Sequence, residues 1–348
     1  MKIEEDKRLK EIFSIQSYSG YEFAMFYYIV KQLDKIQGVN YTVDASGNIL
    51  VTKGNTELVP CICAHIDTVH EIVQPKLYKV VFNDGKITPG TEFTGVGGDD
   101  KCGIYALLHI LEQEDNIKAA FFTSEEFSCV GSGEVNLDFF SNVAVLIGID
   151  RRGNTNFAHG YNGVISEDFM GAVEPIMNKY GYKTAYIALT DVFKLQGRLT
   201  EELNLNIAAV NCACGYYNPH TKDEYVVYED LLNSIKFVRE LISRLRGTVW
   251  TYSPEEEEEE CSGDYFAQEY QQSEMNAVIA NMKYEFSRQN CIVSSQGGVD
   301  EKFSTFKVYN AEMHFIGEVR IDSDGVEEYT DNAGNTYNVI TKFIKNIL

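Results

Sequence analysis

The chain has 348 residues, 44% of them hydrophobic and 12% aromatic, and carries a formal net charge of −22. That length builds one large globular domain with room for a second, small one. Acidity on this scale argues against nucleic acid or an anionic membrane surface as a partner, because phosphates repel it.

The opening residues, Met1-Lys2-Ile3-Glu4-Glu5-Asp6-Lys7-Arg8, lead into no apolar signal core. Export is therefore not expected, and a cytoplasmic setting is. No segment has the unbroken apolar length of a membrane span. Helices are predicted from about residue 7 to 13 and from 21 to 36, broken by Ser17-Tyr18-Ser19-Gly20. In the second, Phe23, Phe26, Tyr27, Val30, Leu33 and Ile36 recur at helical spacing. Residues 48–52 and 59–64 read as strands. Asn83-Asp84-Gly85 is a hairpin turn between 77–82 and 86–88. A glycine-rich segment, Gly95-Val96-Gly97-Gly98-Asp99-Asp100-Lys101-Cys102-Gly103, opens an apolar helix over 104–111. Strands follow at 117–122, 143–149, 184–189 and 205–212, with helices at 166–180 and 231–245.

Strands alternating with helices give an α/β fold with a mixed, largely parallel central sheet flanked by helices. Two cysteine pairs, Cys61/Cys63 and Cys212/Cys214, have C-x-C spacing inside apolar strands. Side chains two apart share a strand face, so each pair is read as packed small hydrophobes rather than zinc ligands.

After Trp250 the composition changes. Pro254 and Glu255–Glu260 form a self-repelling acidic run. Residues 254–348 carry 19 acidic against 7 basic side chains. The expected organisation is a catalytic domain over 1–250, an acidic linker over 251–260 and a small C-terminal α+β appendage over 261–348. In that appendage 264–286 reads as helix, 305–321 as strand, and Asp331-Asn332-Ala333-Gly334-Asn335 as a turn between short strands. His314 is read as a half-buried strand residue. No catalytic constellation and no internal repeat stand out there.

Five short segments carry chemistry, four of them just after apolar strands and the fifth at the mouth of a helix. His65-Ile66-Asp67 puts an imidazole and a carboxylate on one side of a strand end. A metal-bound imidazole commonly gives its other N–H to such an acceptor. Asp99 follows three glycines in four residues, which allow an unusual backbone close to an ion. Asp100 could equally cap the helix that begins there. Glu125-Glu126 are adjacent carboxylates that repel each other unless a cation intervenes; one on a metal and one free as a general base is what a metallohydrolase needs. Asp150 ends the apolar run 143–149, and His220 follows Asn218-Pro219. Each segment alone has an ordinary structural reading. Their joint occurrence points to a site at the carboxyl edge of the sheet, where open α/β sheets bind ligands.

These residues, with Gly98-Asp99-Asp100-Lys101 and Asn218-Pro219-His220, resemble the co-catalytic zinc peptidase superfamily, which includes the peptidase T, carboxypeptidase G and aminoacylase family and related zinc aminopeptidases. The resemblance covers about residues 8–245, and Ile15–Glu22 resembles the start of the peptidase T branch. It implies His65 and Asp150 on a first metal, Glu126 and His220 on a second, and Asp99 bridging both. It implies Asp67 behind His65, Glu125 as general base, and a cis peptide between Asp99 and Asp100. The implied cofactor is two Zn2+ per chain, with Mn2+ or Co2+ able to substitute.

Only 69 residues separate Asp150 from His220, so the lid domain that many relatives insert there is expected to be missing. Tyr216, Tyr217, His159 and Arg151 are candidates for its role in holding the substrate carbonyl. Thr190-Asp191 resembles a Thr/Ser-Asp pair common in the superfamily and reads equally as a helix N-cap. The expected activity is cleavage of small peptides by an aminopeptidase or di/tripeptidase. The alternatives are an N-acyl amino acid amidohydrolase, a catalytically silent metal-binding or scaffolding protein, and a cysteine hydrolase through Cys129 or Cys102. Substrate preference and oligomeric state are not legible in the sequence.

Overall fold

The computed structural model describes residues 3–185, 188–254, 291–293, 299–300, 303–310, 315–322, 327–331 and 336–338. The chain divides into two compact units, Met1–Glu256 and Glu257–Leu348.

The first unit opens with helices α1 (Lys7–Phe13) and α2 (Phe23–Leu33). Strands β1 (Val39–Val43), β2 (Ile49–Lys53) and β3 (Cys61–His65) follow, then the hairpin β4 (Val80–Asn83) and β5 (Lys86–Pro89). Asp84 and Gly85 both take positive φ at its tip, as a tight two-residue hairpin turn requires. Helix α3 (Gly98–Gln113) leads to β6 (Ile117–Phe122), the short α4 (Val130–Glu134) and β7 (Leu146–Arg151). Next come β8 (Asn156–His159), β9 (Gly163–Ile165), α5 (Glu167–Tyr180), β10 (Lys183–Thr184) and α6 (Asp191–Leu203). The unit closes with β11 (Ala209–Ala213), β12 (Tyr216–Tyr217), β13 (Tyr225–Val227), α7 (Tyr228–Leu245) and β14 (Tyr252–Pro254).

Eight strands form the central sheet in the order β1-β2-β6-β3-β7-β11-β8-β10. The middle four, β6, β3, β7 and β11, run parallel to one another. Their side chains alternate between two cores. Ile62, Ala64 and Ile147 pack with residues of α1, α2, α3, α5 and α7, whereas Cys61, Cys63 and Leu146 pack with Phe140, Val192 and Phe193 on the other face. Covering a parallel sheet on both faces is why its strands read as continuous apolar runs. Cys61 and Cys63 do share a face and are buried free thiols. Helix α5 starts where Ser166 accepts the Phe169 N–H and stops at Gly181 with φ +81. Four strands in the order β12-β13-β5-β4 make a smaller antiparallel sheet, and β14 pairs with β9.

Some expectations shift. The helix expected to begin near 104 begins at Gly98, with non-helical dihedrals at Asp99 and Asp100. The strand expected over 184–189 is described only as Lys183–Thr184, with Tyr186 and Ile187 outside the described residues. The interval 251–260 opens with β14, whose Tyr252 pairs with Ile165, so ordered structure continues past residue 250. No helix among the described residues is long and apolar enough to cross a membrane.

The second unit holds β15 (Cys291–Val293), β16 (Val299–Asp300), β17 (Phe303–Asn310), β18 (Phe315–Asp322), β19 (Glu327–Asp331) and β20 (Thr336–Asn338). The strand-like stretch 305–321 is an antiparallel pair, β17 with β18, and β15, β16, β19 and β20 extend it. The helix expected over 264–286, His314 and the turn at 332–335 lie outside the described residues.

Asn48 ties β2 to the segment that follows β6. Its Nδ2 donates to Asp44 Oδ2 at 2.8 Å and to the Gly131 carbonyl at 2.9 Å, and its Oδ1 accepts the Thr123 N–H at 3.0 Å. The residue is fully buried, so its removal strands those groups away from water. Asn48→Ala is expected to cost about 2–3 kcal/mol, read as a lower urea midpoint at unchanged slope. A loss below about 0.5 kcal/mol would show that the amide is no such tie.

Candidate metal centre

The parallel strands end level with one another. His65 on β3 pairs in register with Phe122 on β6, and Ala213 on β11 with Arg151 on β7. The polar residues that terminate these strands, or follow them, therefore meet at one edge. His65 ends β3, and Asp150 is the penultimate residue of β7. Glu125 and Glu126 lie three and four residues past β6, and His220 lies beyond β11 and β12. Asp99 enters from the start of α3 and is joined to Asp100 by a cis peptide.

His65 is 1% exposed. Its Nε2 lies 3.1 Å from Asp99 Oδ1, 3.6 Å from Asp150 Oδ1 and 4.0 Å from Glu125 Oε2. The other ring nitrogen, Nδ1, faces the Asp67 carbonyl at 3.1 Å and Asp67 Oδ1 at 3.3 Å. His220 is half exposed, and its Nε2 is 3.2 Å from both Asp99 Oδ2 and Glu126 Oε2. Asp99 thus turns one carboxylate oxygen to each histidine. Two groups result, His65/Asp99/Asp150 and Asp99/Glu126/His220, with the ligand atoms of each within 4.8 Å of one another.

Asp67 holds the assembly from behind. Its carboxylate accepts the N–H of Glu125 at 2.9 Å, the N–H of Glu126 at 3.1 Å and the Ser19 hydroxyl at 2.6 Å. Ser124, Ser128 and Cys129 in the same segment take positive φ, a conformation non-glycine residues adopt only when surrounding bonds enforce it. Glu22 supplies some of these by accepting both the N–H and the hydroxyl of Ser124 at 3.2 Å. Asp150 is fixed by Asn211, whose amide bonds both its N–H and its carbonyl, and by the Tyr216 hydroxyl at 3.2 Å from Oδ1. Asp100 accepts the N–H of Gly103 and of His65, so its role is to cap α3 and brace β3.

Sequence reasoning missed three buried residues here: Glu22, Asn211 and Glu224. Glu224 accepts the N–H groups of Gly97 and Asp99. Glu22 and Glu224 have an unremarkable local context and only burial reveals them, whereas Asn211 is a lone amide inside the apolar strand β11, a signal the sequence did carry. Thr190-Asp191 does not form the side-chain cap considered for it; the Thr190 hydroxyl accepts the Asn211 amide at 3.2 Å. Thr190 precedes α6 without a side-chain cap bond, and Asp191 accepts the Ser132 hydroxyl at 2.6 Å beside the centre. Cys129 Sγ sits 3.5 Å from Glu125 Oε1, and burial pushes its thiol up, which disfavours a thiolate nucleophile.

The electrostatics calls for positive charge. Burial raises Glu126 to about 7 and Asp150 to about 6, and lifts Glu125 well above the carboxylate range. His220 is pushed up to about 11 by its bonds to Asp99 and Glu126. With protein groups alone, histidine protons offset the crowded carboxylates. Glu126 Oε1 is buried without a hydrogen-bond partner. Two imidazoles and three carboxylates, with Asp99 shared between the groups, fit a pair of divalent cations, and nitrogen and oxygen donors suit zinc, manganese or cobalt.

No protein-family model and no curated protein sequence matches the chain. Solved structures do. The aminopeptidase PepT of Bacillus cereus superposes with a TM-score of 0.57 at 14% identity, over 68% of this chain and 97% of that one. A tripeptidase of Staphylococcus aureus gives 0.54 at 15%, over 67% and 95%. An aminopeptidase of the archaeon Desulfurococcus kamchatkensis gives 0.50 at 16%, over 67% and 93%. The likeness establishes the fold, an α/β architecture with a mixed, largely parallel central sheet flanked by helices.

A cation that binds only the folded centre stabilises it by about 2.7 kcal/mol at a hundred times its Kd. Zinc or manganese added to chelator-treated protein is therefore expected to raise Tm by roughly 5–10 °C at pH 8. The rise should shrink at pH 6, because the ion must displace protons from His65 and His220, both of which hold them more tightly than free histidine. An unchanged Tm at pH 8 would count against a metal centre.

Proposed function

We propose that this chain is a two-metal hydrolase that cleaves amide bonds of small peptides, trimming from the amino end. The carrying observation is that Asp99 offers one oxygen beside His65 and the other beside His220. His65, Asp99 and Asp150 would hold one cation, and Asp99, Glu126 and His220 the other. Two such ions supply charge that polarises the scissile carbonyl and lowers the pKa of the attacking water. That the fold is shared with enzymes described as aminopeptidases and a tripeptidase supports a peptide substrate.

Glu125 is the general base. Its N–H is held on Asp67 and its carboxylate lies 4.0 Å from His65 Nε2. Burial favours its protonated form, so it takes a proton from the water readily and can pass it to the leaving amine. Asp67 orients the His65 ring through Nδ1 and fixes which nitrogen faces the centre. Of the residues considered for holding the substrate carbonyl, Tyr216 places its hydroxyl at the centre, on Asp150. Tyr217 instead donates to Asp230, and His159 pairs with Thr184. Among Tyr216, Tyr217 and His159, Tyr216 is thus the best placed to assist the developing oxyanion.

The interval from Asp150 to His220 is taken up by β8 to β12 with α5 and α6, which leaves the centre without an inserted lid in this reading. Short, unblocked peptides fit such a site. Zinc is the proposed ion, and the buried free thiols suit a cytoplasmic setting.

Metal content and hydrolysis of a peptide panel test this together. About two zinc ions per chain, release of amino-terminal residues, and a Glu125→Gln variant that keeps its metal but loses at least about 10²-fold in kcat are expected. Cleavage of N-acyl amino acids alone would replace the peptidase reading with a deacylase. Metal binding with no hydrolysis of either class would leave a binding protein.

A further inference from the structure

We propose that Glu224 is a positioning residue for the second cation group, and that with His70 it sets that group's affinity separately from the first. The inference rests on the two-metal reading above and adds a residue to it.

Glu224 is a fully buried carboxylate with every bond accounted for. Oε1 accepts the Asp99 N–H at 3.0 Å, and Oε2 accepts the Gly97 N–H at 2.7 Å and faces His70 Nε2 at 2.8 Å. At its other end, the Glu224 N–H donates to the Thr221 carbonyl at 3.2 Å, closing the turn that presents His220. One residue therefore ties the loop that carries Asp99 to the turn that carries His220. These are two of the three members of the second group, drawn from segments more than a hundred residues apart.

The surroundings make the tie stiff. Gly97 sits at φ +68, and a Cβ on Gly98 would lie 2.7 Å from Tyr216 Cβ. A Cβ on Gly95 would lie 2.4 Å from His70 Cε1 and 2.6 Å from the Thr221 carbonyl. The glycines let the loop approach His70 and the His220 turn closely enough for Glu224 to reach both. A buried carboxylate is costly to keep unless its oxygens are satisfied, and those of Glu224 meet His70 and the backbone N–H groups that shape the loop. His65 and Asp150, by contrast, stand on β3 and β7 and are braced by Asp67 and Asn211. Among the described residues, Asp99 alone of the first group bonds to Glu224. Loosening Glu224 should thus weaken the second ion far more than the first.

The test is a titration of the metal-free full-length chain with Zn2+ against a competing chelator. It compares wild type, Glu224→Gln and Gly95→Ala. Wild type should bind two ions. Glu224→Gln should bind the first within a few-fold of wild type and the second about 10- to 100-fold more weakly, as loss of a partner behind a metal ligand does. Gly95→Ala, which crowds His70 without removing a charge, should shift the same step in the same direction. Circular dichroism of the metal-free proteins checks folding, and Gly95→Ala decides the matter if Glu224→Gln does not fold. A second ion bound as tightly as in wild type, or both ions weakened alike, overturns the proposal. Fewer than two ions on wild type overturns the two-metal reading itself, and that is read from the wild-type titration alone.

Discussion

The arrangement depends most on one buried carboxylate. Asp67 is fully buried, yet its two oxygens meet the His65 ring, the N–H groups of Glu125 and Glu126, and the Ser19 hydroxyl. A carboxylate out of water must collect such donors or be protonated. By collecting them from three segments, Asp67 fixes in one place the end of β3, the start of the segment after β6 and the loop before α2. The histidine and both glutamates are therefore set relative to one another by a shared acceptor rather than by three independent contacts.

The sheet makes that economy work. Parallel strands with level ends bring β3, β6, β7 and β11 to a common edge, and helices on both faces keep the edge rigid. Side chains on such a frame hold their spacing without a cation to pull them together, which is what preorganisation requires. The crowding of carboxylates that results is unfavourable by itself. It is offset by histidine protons or by metal ions, and the second is the chemically useful state.

Much of this was legible in the sequence because the site sits where apolar runs stop. His65, Glu125, Glu126 and Asp150 each follow a stretch whose burial on both faces leaves no alternation to misread, and the strands at 117–122 and 59–64 were placed within two residues. The cis peptide between Asp99 and Asp100 was expected from resemblance and not from physics. What was missed is what burial alone decides. Strand β1 is an edge strand of mixed exposure, so Val39–Val43 carries little hydrophobic signal. Strands β8 and β9 are three or four residues long. The start of α3 was set late because glycines and aspartates are poor helix formers, and tertiary bonds to Glu224 and Asp100 overrode that preference there. Glu22 and Glu224 sit beside other polar residues where nothing local distinguishes a buried residue from a solvated one, whereas Asn211 is a single amide inside the fully buried strand β11 and was passed over there.

The sheet order has a consequence for the chain as it is made. Its catalytic edge is read from the amino terminus as β3, then β6, then β7, and only last the turn beyond β12 that brings His220. A nascent chain grows from that same end, and partly folded stretches settle before the remainder exists. Until residue 224 has emerged and docked, the centre holds Glu125 and the His65 side but no His220. In the proposed hydrolase the ligand set would be complete only with the last seventh of the unit Met1–Glu256, so a chain cut before His220 would lack the second cation group.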